Sequence, residues 1–403
     1  MKRLVKYAPK MKQGSKLSAM AAKVLPRLIR KRPLYIVGLN SGTSVDGVDL
    51  ALVRIDSSKR PEIINCQTYS YSKGIRERIL ALAEPEFVDG EEWLALDYEL
   101  GKLFGKYVRR FATRILKGGG RIDLVGSHGQ TIRHIPRGSG RPLTLQVGEP
   151  ALIAGITGLP VVSDFRRSDI AAGGEGAPLS PILHEVLFRS KAKRRAIVNI
   201  GGIANVTILP PLKSGEKAIA GDSGPGNMLI DMAMRRLFGR QYDLGGRIAQ
   251  KGKADASFVS GTLKTAFFGL KPPKSTGREL FGLSFLEKAM KALKHHAPED
   301  TVATLTEITV ASIADFIGRF GPEVQEIYLC GGGAKNRYIL SRLRDSFPAN
   351  AVETTLSLGY DSDYLEALLW AYLAYCFVGQ HAIDASNYTG AGNPYIPGKL
   401  CLP

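Results

Sequence analysis

Four stretches of the chain combine residue types that do chemistry at a spacing that would bring them to bear together. The first is Gly38-Leu39-Asn40-Ser41-Gly42-Thr43-Ser44-Val45-Asp46-Gly47, followed by Val48: three glycines, three hydroxyls and one carboxylate in ten residues. Glycine lets backbone N–H groups close on an anion and the hydroxyls add donors, so such a turn can hold phosphate, with Asp46 holding Mg²⁺ through water. No G-x-x-x-x-G-K-[ST] run occurs, so this is not a Walker A loop, and an ordinary hairpin turn answers to the same residues. A second glycine turn, Asn199-Ile200-Gly201-Gly202-Ile203-Ala204-Asn205, strengthens the phosphate reading, because two such turns can grip a polyphosphate from both sides. The third stretch, Gly221-Asp222-Ser223-Gly224-Pro225-Gly226-Asn227, sets one carboxylate among small residues ahead of an apolar-periodic helix. Asp222 there is either a helix cap or an exposed general base kept ionised by the helix N-terminus. The fourth, Gly126-Ser127-His128-Gly129-Gln130-Thr131, clusters His128 and Gln130 with hydroxyls, a set suited to sugar hydroxyls. Arg166 and Arg167 can offer a guanidinium to a carboxylate, or pair on the surface with Asp164 and Asp169. The Gly331-Gly332-Gly333 turn is either a plain strand-to-helix turn or a close approach to a planar ring. His295-His296 lacks metal spacing.

The elements that must carry these residues alternate. Leu34 to Val37 and Val48 to Ile55 flank the first turn, and Arg195 to Ile200 and Ile203 to Leu209 flank the second about 160 residues later. Both pairs read as strand hairpins, so the chain is internally duplicated. Helical patterns cover Glu91 to Leu116, Met228 to Phe238, Phe285 to Leu293, Thr301 to Phe320 and Asn336 to Phe347, with strands at Ile122 to Gly126 and Glu326 to Cys330. Alternation of this kind predicts an α/β protein with mixed sheets in two lobes. The expected divisions are a basic, disordered leader over 1–33, an N-terminal lobe over 34–190 and a C-terminal lobe over 191–403.

Composition excludes several classes. With 403 residues, 44% of them hydrophobic, the chain is long enough for one or two real cores, and its 45 Gly and 22 Pro are dispersed. Four cysteines (Cys66, Cys330, Cys376, Cys401) with no C-x-x-C spacing support neither a disulfide framework nor a zinc site and favour a reducing, cytoplasmic setting. The apolar stretches at Ala151 to Val162 and Ala367 to Val378 are short of the roughly 20 residues a membrane span needs, and a soluble protein is expected. The net charge of +18 is uneven: residues 1–33 hold eleven Lys or Arg and no acid, leaving +7 for the rest. No aromatic residues interleave the basic ones, so no specific nucleic-acid partner is implied.

Taken together, the motifs resemble anhydro-N-acetylmuramic acid kinase, of the hexokinase, actin and Hsp70 superfamily. Besides those above, the resemblance rests on Gly173-Gly174-Glu175-Gly176-Ala177-Pro178-Leu179 and Pro273-Lys274-Ser275-Thr276-Gly277-Arg278-Glu279, and it runs from Leu34 to Gly379. It implies a duplicated, ribonuclease H-like fold with a central nucleotide cleft. It also implies a kinase that uses ATP and Mg²⁺ to open 1,6-anhydro-N-acetylmuramic acid with water and phosphorylate O6, in cell-wall amino-sugar recycling. On this reading Asp222 is the general base and Glu366 a substrate-side carboxylate. Ser41 through Val48, with Gly201, Gly202, Gly331 and Gly332, hold the nucleotide, and His128, Gln130, Arg166 and Arg167 hold the sugar. The chain departs from the family pattern at Asn40, Ser168 and Glu175, where Met, Arg and Gln are usual; the missing Arg at Ser168 leaves the lactyl carboxylate to Arg166 or Arg167, or loosens the preference for the muramic acid. An ATPase or a sugar- or nucleotide-sensing protein of the same superfold is the alternative, and a homodimer stays open.

Overall fold

The computed structural model describes residues 24, 26–30, 32–42, 45–83, 89–135 and 140–403. Its strands are β1 (Leu34–Ser41), β2 (Gly47–Ile55), β3 (Glu62–Ser70), β4 (Leu124–Ile135), β5 (Leu143–Val147), β6 (Val161–Ser163), β7 (Arg195–Ile200), β8 (Ile203–Leu209), β9 (Ile219–Pro225), β10 (Glu326–Cys330), β11 (Ala351–Thr354) and β12 (Lys399–Cys401). The longer helices are α1 (Lys73–Ala83), α2 (Gly90–Lys117), α3 (Pro150–Thr157), α4 (Phe165–Ala171), α5 (Ser180–Phe188), α6 (Met228–Phe238), α7 (Ala256–Leu263), α8 (Leu283–Ala292), α9 (Pro298–Phe320), α10 (Arg337–Ser346) and α11 (Leu365–Val378).

The duplication read from the two hairpins is present in the sheets. One sheet runs β12-β6-β4-β1-β2-β3, with β5 also paired to β4, and the other runs β11-β10-β7-β8-β9. In each, an antiparallel meander of three strands (β1-β2-β3 or β7-β8-β9) is extended from its first strand by parallel neighbours: β4 then β6 in one, β10 then β11 in the other. Order and sense agree strand for strand, so this is the duplicated, mixed-sheet α/β arrangement that the resemblance implied. Loops leaving the carboxyl ends of β1, β7 and β10 carry the glycine turns, the end at which open α/β sheets bind ligands, while the Gly126 to Thr131 motif lies within β4.

Three apolar clusters fill the layers. One joins Val37, Leu50 and Val125 of the first sheet to Leu100, Phe104 and Phe111 of α2. Another joins Val198 and Val206 of the second sheet to Ile230 of α6, Leu305 of α9 and Ile339 of α10. The third lies between the sheets, where α5 and α11 are covered on one side by Ile36 and Leu124 and on the other by Ile197 and Tyr328. A helix covered on both sides must be apolar all round, and α11, LEALLWAYLAYCFV, buries eleven of its fourteen residues.

Two expectations need correction here. Residues 365–401 were grouped with the second lobe, yet α11 packs along β1, β2 and β4 and β12 pairs antiparallel with β6, so the end of the chain returns to the first sheet. The leader was expected to be disordered throughout. Most of it lies outside the described residues, but 26–30 are helical, Leu28 is 5% exposed within the inter-sheet cluster, and the Arg32 guanidinium sits 5.0 Å from the Tyr375 ring centroid. Neither Ala151 to Val162 nor Ala367 to Val378 is long and apolar enough to cross a membrane. Among the described residues one helix, α9, meets the length and composition, with 72% of its most apolar window buried as the central helix of the second core.

Candidate active site

Seating of α11 decides where Glu366 and its neighbour Trp370 go. Gly38 of β1 and Gly126 of β4 are register partners, and a Cβ on Gly38 would stand 1.8 Å from the Ala367 carbonyl oxygen, one on Gly126 2.3 Å from that of Trp370. The two glycines leave a flat track on which the helix backbone lies directly against the sheet. Its first turn then presents Glu366 and its second Trp370 beside the carboxyl ends of β1 and β4.

A connected polar chain follows. Asn40 Nδ2 donates to Glu366 Oε2 at 2.8 Å, and Trp370 Nε1 donates to Asn40 Oδ1 at 2.9 Å. The Trp370 ring stacks on His128, centroids 4.1 Å apart and planes 16° from parallel. Arg166 Nε donates to His128 Nε2 at 2.8 Å and its Nη1 to the Gly176 carbonyl at 2.9 Å. A guanidinium only donates, so Nε2 is the acceptor and Nδ1–H faces the Gly129 carbonyl at 3.0 Å. That makes His128 a neutral imidazole, in keeping with burial and the Arg166 charge, which push its pKa well below the usual value. His128, Arg166 and Glu366 are thus brought together.

Gln130 and Arg167 are not. Gln130 is fully buried with its amide spent on the first turn: Nε2 donates to the carbonyls of Gly42 (3.1 Å) and Thr131 (3.0 Å), and Oε1 lies 2.6 Å from Ser41 Oγ. It braces the phosphate-type turn and has no free group for a sugar. Ser41 Oγ, also within 2.6 Å of the Tyr71 hydroxyl and 3.1 Å of the Gly47 carbonyl, is closed off likewise. Arg167 points outward to Asp164 at 3.8 Å with half its side chain exposed. Thr43 and Ser44 lie outside the described residues. Val45 holds a left-handed backbone, φ 53°, Val48 is a core residue, and Gly47 is glycine because a Cβ there would meet the Tyr69 carbonyl at 2.4 Å. Asp46 is exposed at the mouth of this turn.

Asp49, which the sequence reading passed over, lies across from Asn40 in the β1–β2 pairing. Burial pushes its pKa up to about 6, with Asp46, Asp363 and Glu366 adding like charge against the Thr68 hydroxyl bond at 2.6 Å. Asp169, named in the sequence as a surface partner for the arginines, is buried instead. Fully buried, it accepts from Gly176 N (2.7 Å), Thr389 Oγ1 (2.7 Å) and the Tyr395 hydroxyl (2.8 Å), which fixes the Gly173–Leu179 loop against Arg166.

In the second lobe the turn after β7, the start of α6 and the turn after β10 form one cluster. Asn227 N donates to the Gly201 carbonyl at 2.8 Å and its Nδ2 to that of Ile200 at 3.1 Å; a Cβ on Gly331 (φ 76°) would strike Asn199 Oδ1 at 2.4 Å. Gly202 and Gly332 face open space by contrast: added Cβ atoms would meet only Met228 and Asn227, no nearer than 3.3 Å. A cradle is left above Gly201-Gly202 and Gly331-Gly332.

Asp222 departs most from expectation. Instead of capping a helix, it lies inside β9, opposite Asn205 of β8, six residues before α6 begins, and is 9% exposed. No helix N-terminus holds it ionised. Burial pushes its pKa up to about 7, against the opposing pull of the Thr276 N–H, which donates to Oδ2 at 2.8 Å, and of the Lys274 charge. Lys274 is boxed by aromatic rings, its Nζ 4.4 Å from the Phe267 centroid and 5.8 Å from that of Phe316. The Thr276 bond engages Oδ2 of Asp222, and among the described residues two buried side-chain atoms, Asn205 Oδ1 on its register partner and Thr276 Oγ1, have no hydrogen-bond partner. The Lys274-Ser275-Thr276 segment therefore belongs to the site as Asp222's support, a role its sequence could have suggested only through the unusual Lys-Ser-Thr-Gly turn.

The family model for anhydro-N-acetylmuramic acid kinase matches residues 34–402. The chain belongs to that family. The anhydro-N-acetylmuramic acid kinase of Saccharophagus degradans is 39% identical over 376 residues, 92% of this chain and all of that one. That of Pasteurella multocida is 38% identical over 375 residues, 92% and 98% of the two chains. Among solved structures, the activator of the 2-hydroxyisocaproyl-CoA dehydratase from Clostridium difficile with bound ADPNP aligns with a TM-score of 0.41 and 14% identity, over 86% of this chain and 96% of that one. Family membership makes the chain a kinase, a phosphotransferase to an alcohol group, as the motifs implied, and nothing in the comparisons favours the ATPase or sensing alternative.

Proposed function

We propose that this kinase opens 1,6-anhydro-N-acetylmuramic acid with water and phosphorylates its O6, with Asp222 as general base. A buried carboxylate whose pKa is pushed up to about 7, held through Oδ2 by Thr276 N–H and paired in register with Asn205, is the observation that carries the assignment. With its pKa raised by burial, it is a stronger base than an ordinary aspartate. Thr276 N–H holds Oδ2, so Oδ1 receives the proton. Asn205 Oδ1 and Thr276 Oγ1, unpartnered among the described residues, are further groups that the water could bond. As its oxygen bonds to C1, the C1–O6 bond breaks and O6 takes the phosphoryl group, ADP leaving with the electron pair of the broken P–O bond.

Arg166 takes the lactyl carboxylate and Glu366 orients the sugar, the two joined through Asn40, Trp370 and His128. ATP with Mg²⁺ supplies the phosphoryl group and neutralises its charge. Gly42, Asp46 and Gly47 of the first turn on one side, and the open glycines Gly201, Gly202 and Gly332 beside the packed Gly331 on the other, fit its phosphates and ring. Asp46 fits Mg²⁺ through water: among the described residues no three His, Cys, Asp or Glu gather as an all-protein cage, and Mg²⁺ keeps its waters and is held by one or two carboxylates plus phosphate. Such an ATP-dependent reaction belongs in the cytoplasm. Turnover in ¹⁸O-water tests the scheme: label is expected on the C1 hydroxyl and absent from the phosphate ester, and label absent from C1, read before anomeric exchange, would overturn it.

A further inference from the structure

Asn40 is the penultimate residue of β1 and is 5% exposed, yet both ends of its amide are engaged. Trp370 Nε1 can only donate, so the Asn40 carbonyl must face it and the NH₂ must face Glu366. The reversed amide would set two donors together on one side and two acceptors on the other. Trp370 therefore dictates the orientation in which Asn40 meets the carboxylate. Trp370 is itself held: 2% exposed, it stacks on His128 at 4.1 Å and on Phe165 at 5.6 Å, with the Arg166 guanidinium 5.6 Å from its ring centroid. Glu366, by contrast, is an exposed side chain in the first turn of α11, and the Asn40 bond is what ties its carboxylate to the buried scaffold. Glu366 and Trp370 are four residues apart on one helix face, the separation Asn40 bridges. With Oε2 taken by Asn40, Oε1 is the oxygen presented outward.

We propose that Asn40 is a positioning residue for the reaction: clamped by Trp370, it fixes the Glu366 carboxylate relative to Arg166, so that the two charged groups meet the sugar as one rigid pair. The proposal rests on the reading that Glu366 acts on the substrate.

The test is a double-mutant cycle on the full chain with ATP and anhydro-N-acetylmuramic acid. Asn40→Leu, close in volume but unable to donate or accept, is expected to lower kcat about tenfold with KM for ATP within twofold. In a Glu366→Ala background the same change is expected to cost less than twofold, because the group it positions is gone. Asn40→Ser, with melting temperatures for every variant, carries the cycle if the leucine fails to fold. Equal losses from the Asn40 variant in both backgrounds would overturn the positioning role and leave Glu366 in place. Full activity of Glu366→Ala would overturn the reading of Glu366, and the proposal with it.

Discussion

Asp222 is a residue whose usefulness and cost have one origin. Removal from water raises its pKa to about 7, against about 3.8 in the unfolded chain, so the folded state binds the proton more tightly. The stability this lends is complete below about pH 4 and is lost as the pH rises toward and through 7. Asn in its place keeps an acceptor for Thr276 N–H but cannot take a proton. Asp222→Asn is therefore expected to cut kcat by about 10²–10⁴ with little change in ATP affinity by calorimetry, and to raise the melting temperature at pH 8 more than at pH 5. A wild-type kcat/KM that falls on acidification through about pH 7 would share the same cause. The two neighbouring arginines make a sharper pair of cases. Arg166 is held over Trp370 by His128 and Gly176 while Arg167 faces outward to Asp164, so Arg166→Ala is expected to erase the preference for the lactyl-bearing sugar over anhydro-N-acetylglucosamine. Loss of a charge-assisted pair is worth about 1.5–3 kcal/mol, or some ten- to hundredfold in that ratio. Arg167→Ala should leave it unchanged in the same competition assay.

At the scale of elements, the site depends on how closely a helix lies on a sheet. Gly126 and Gly38 admit α11 to a distance no Cβ permits, and α11 carries both Glu366 and Trp370. Gly126→Ala should push the helix off, destabilising by about 1–3 kcal/mol or more as overpacking does, and lower kcat further than the loss of folded protein accounts for. Denaturant titration beside active-site-normalised kinetics would separate the two effects. This dependence also marks what could be read from the sequence and what could not. Met228 to Phe238 was legible to the residue, because its apolar period ends at Gly239, which takes the left-handed conformation (φ 64°) that closes a helix. β9 was not: Ile-Ala-Gly-Asp-Ser-Gly-Pro has no alternation of apolar and polar residues, and is buried by what covers it, from Lys274 to α9. Asp222 accordingly read as a helix cap. The Gly126 motif pointed to the right neighbourhood and to His128, but Gln130 and Asp169 were given no bracing role, since which polar groups saturate one another depends on contacts across 88 and 220 residues of chain.

For the molecule as a whole, the two sheets share one strand order but the chain does not divide cleanly between them, because its last segments run back to the first. α11 lies between the sheets, and the inter-sheet cluster continues past it to Tyr375 and, from the other end of the chain, to Leu28. The basic leader thus has two parts. Residues 1–23 lie outside the described structure, whereas Leu28 is buried and Arg32 donates to the carbonyls of Leu28 (3.4 Å) and Ile29 (3.3 Å) while lying over Tyr375. Two truncations should therefore behave differently. Removing residues 2–23 takes away seven basic residues and nothing from the described core, so melting temperature and turnover should match the full chain. Extending the cut through residue 31 also removes Leu28, whose burial is worth about 1.5–3 kcal/mol. In a chain of this size that amounts to a fall of a few degrees in melting temperature. Leu28→Ala in the full chain should reproduce most of that fall, since it deletes the apolar contact and leaves the backbone and the charge. Both truncations melting with the full chain would mean that the 26–30 helix contributes nothing to the inter-sheet core, and an equal loss from both would place the stabilising contact before residue 24.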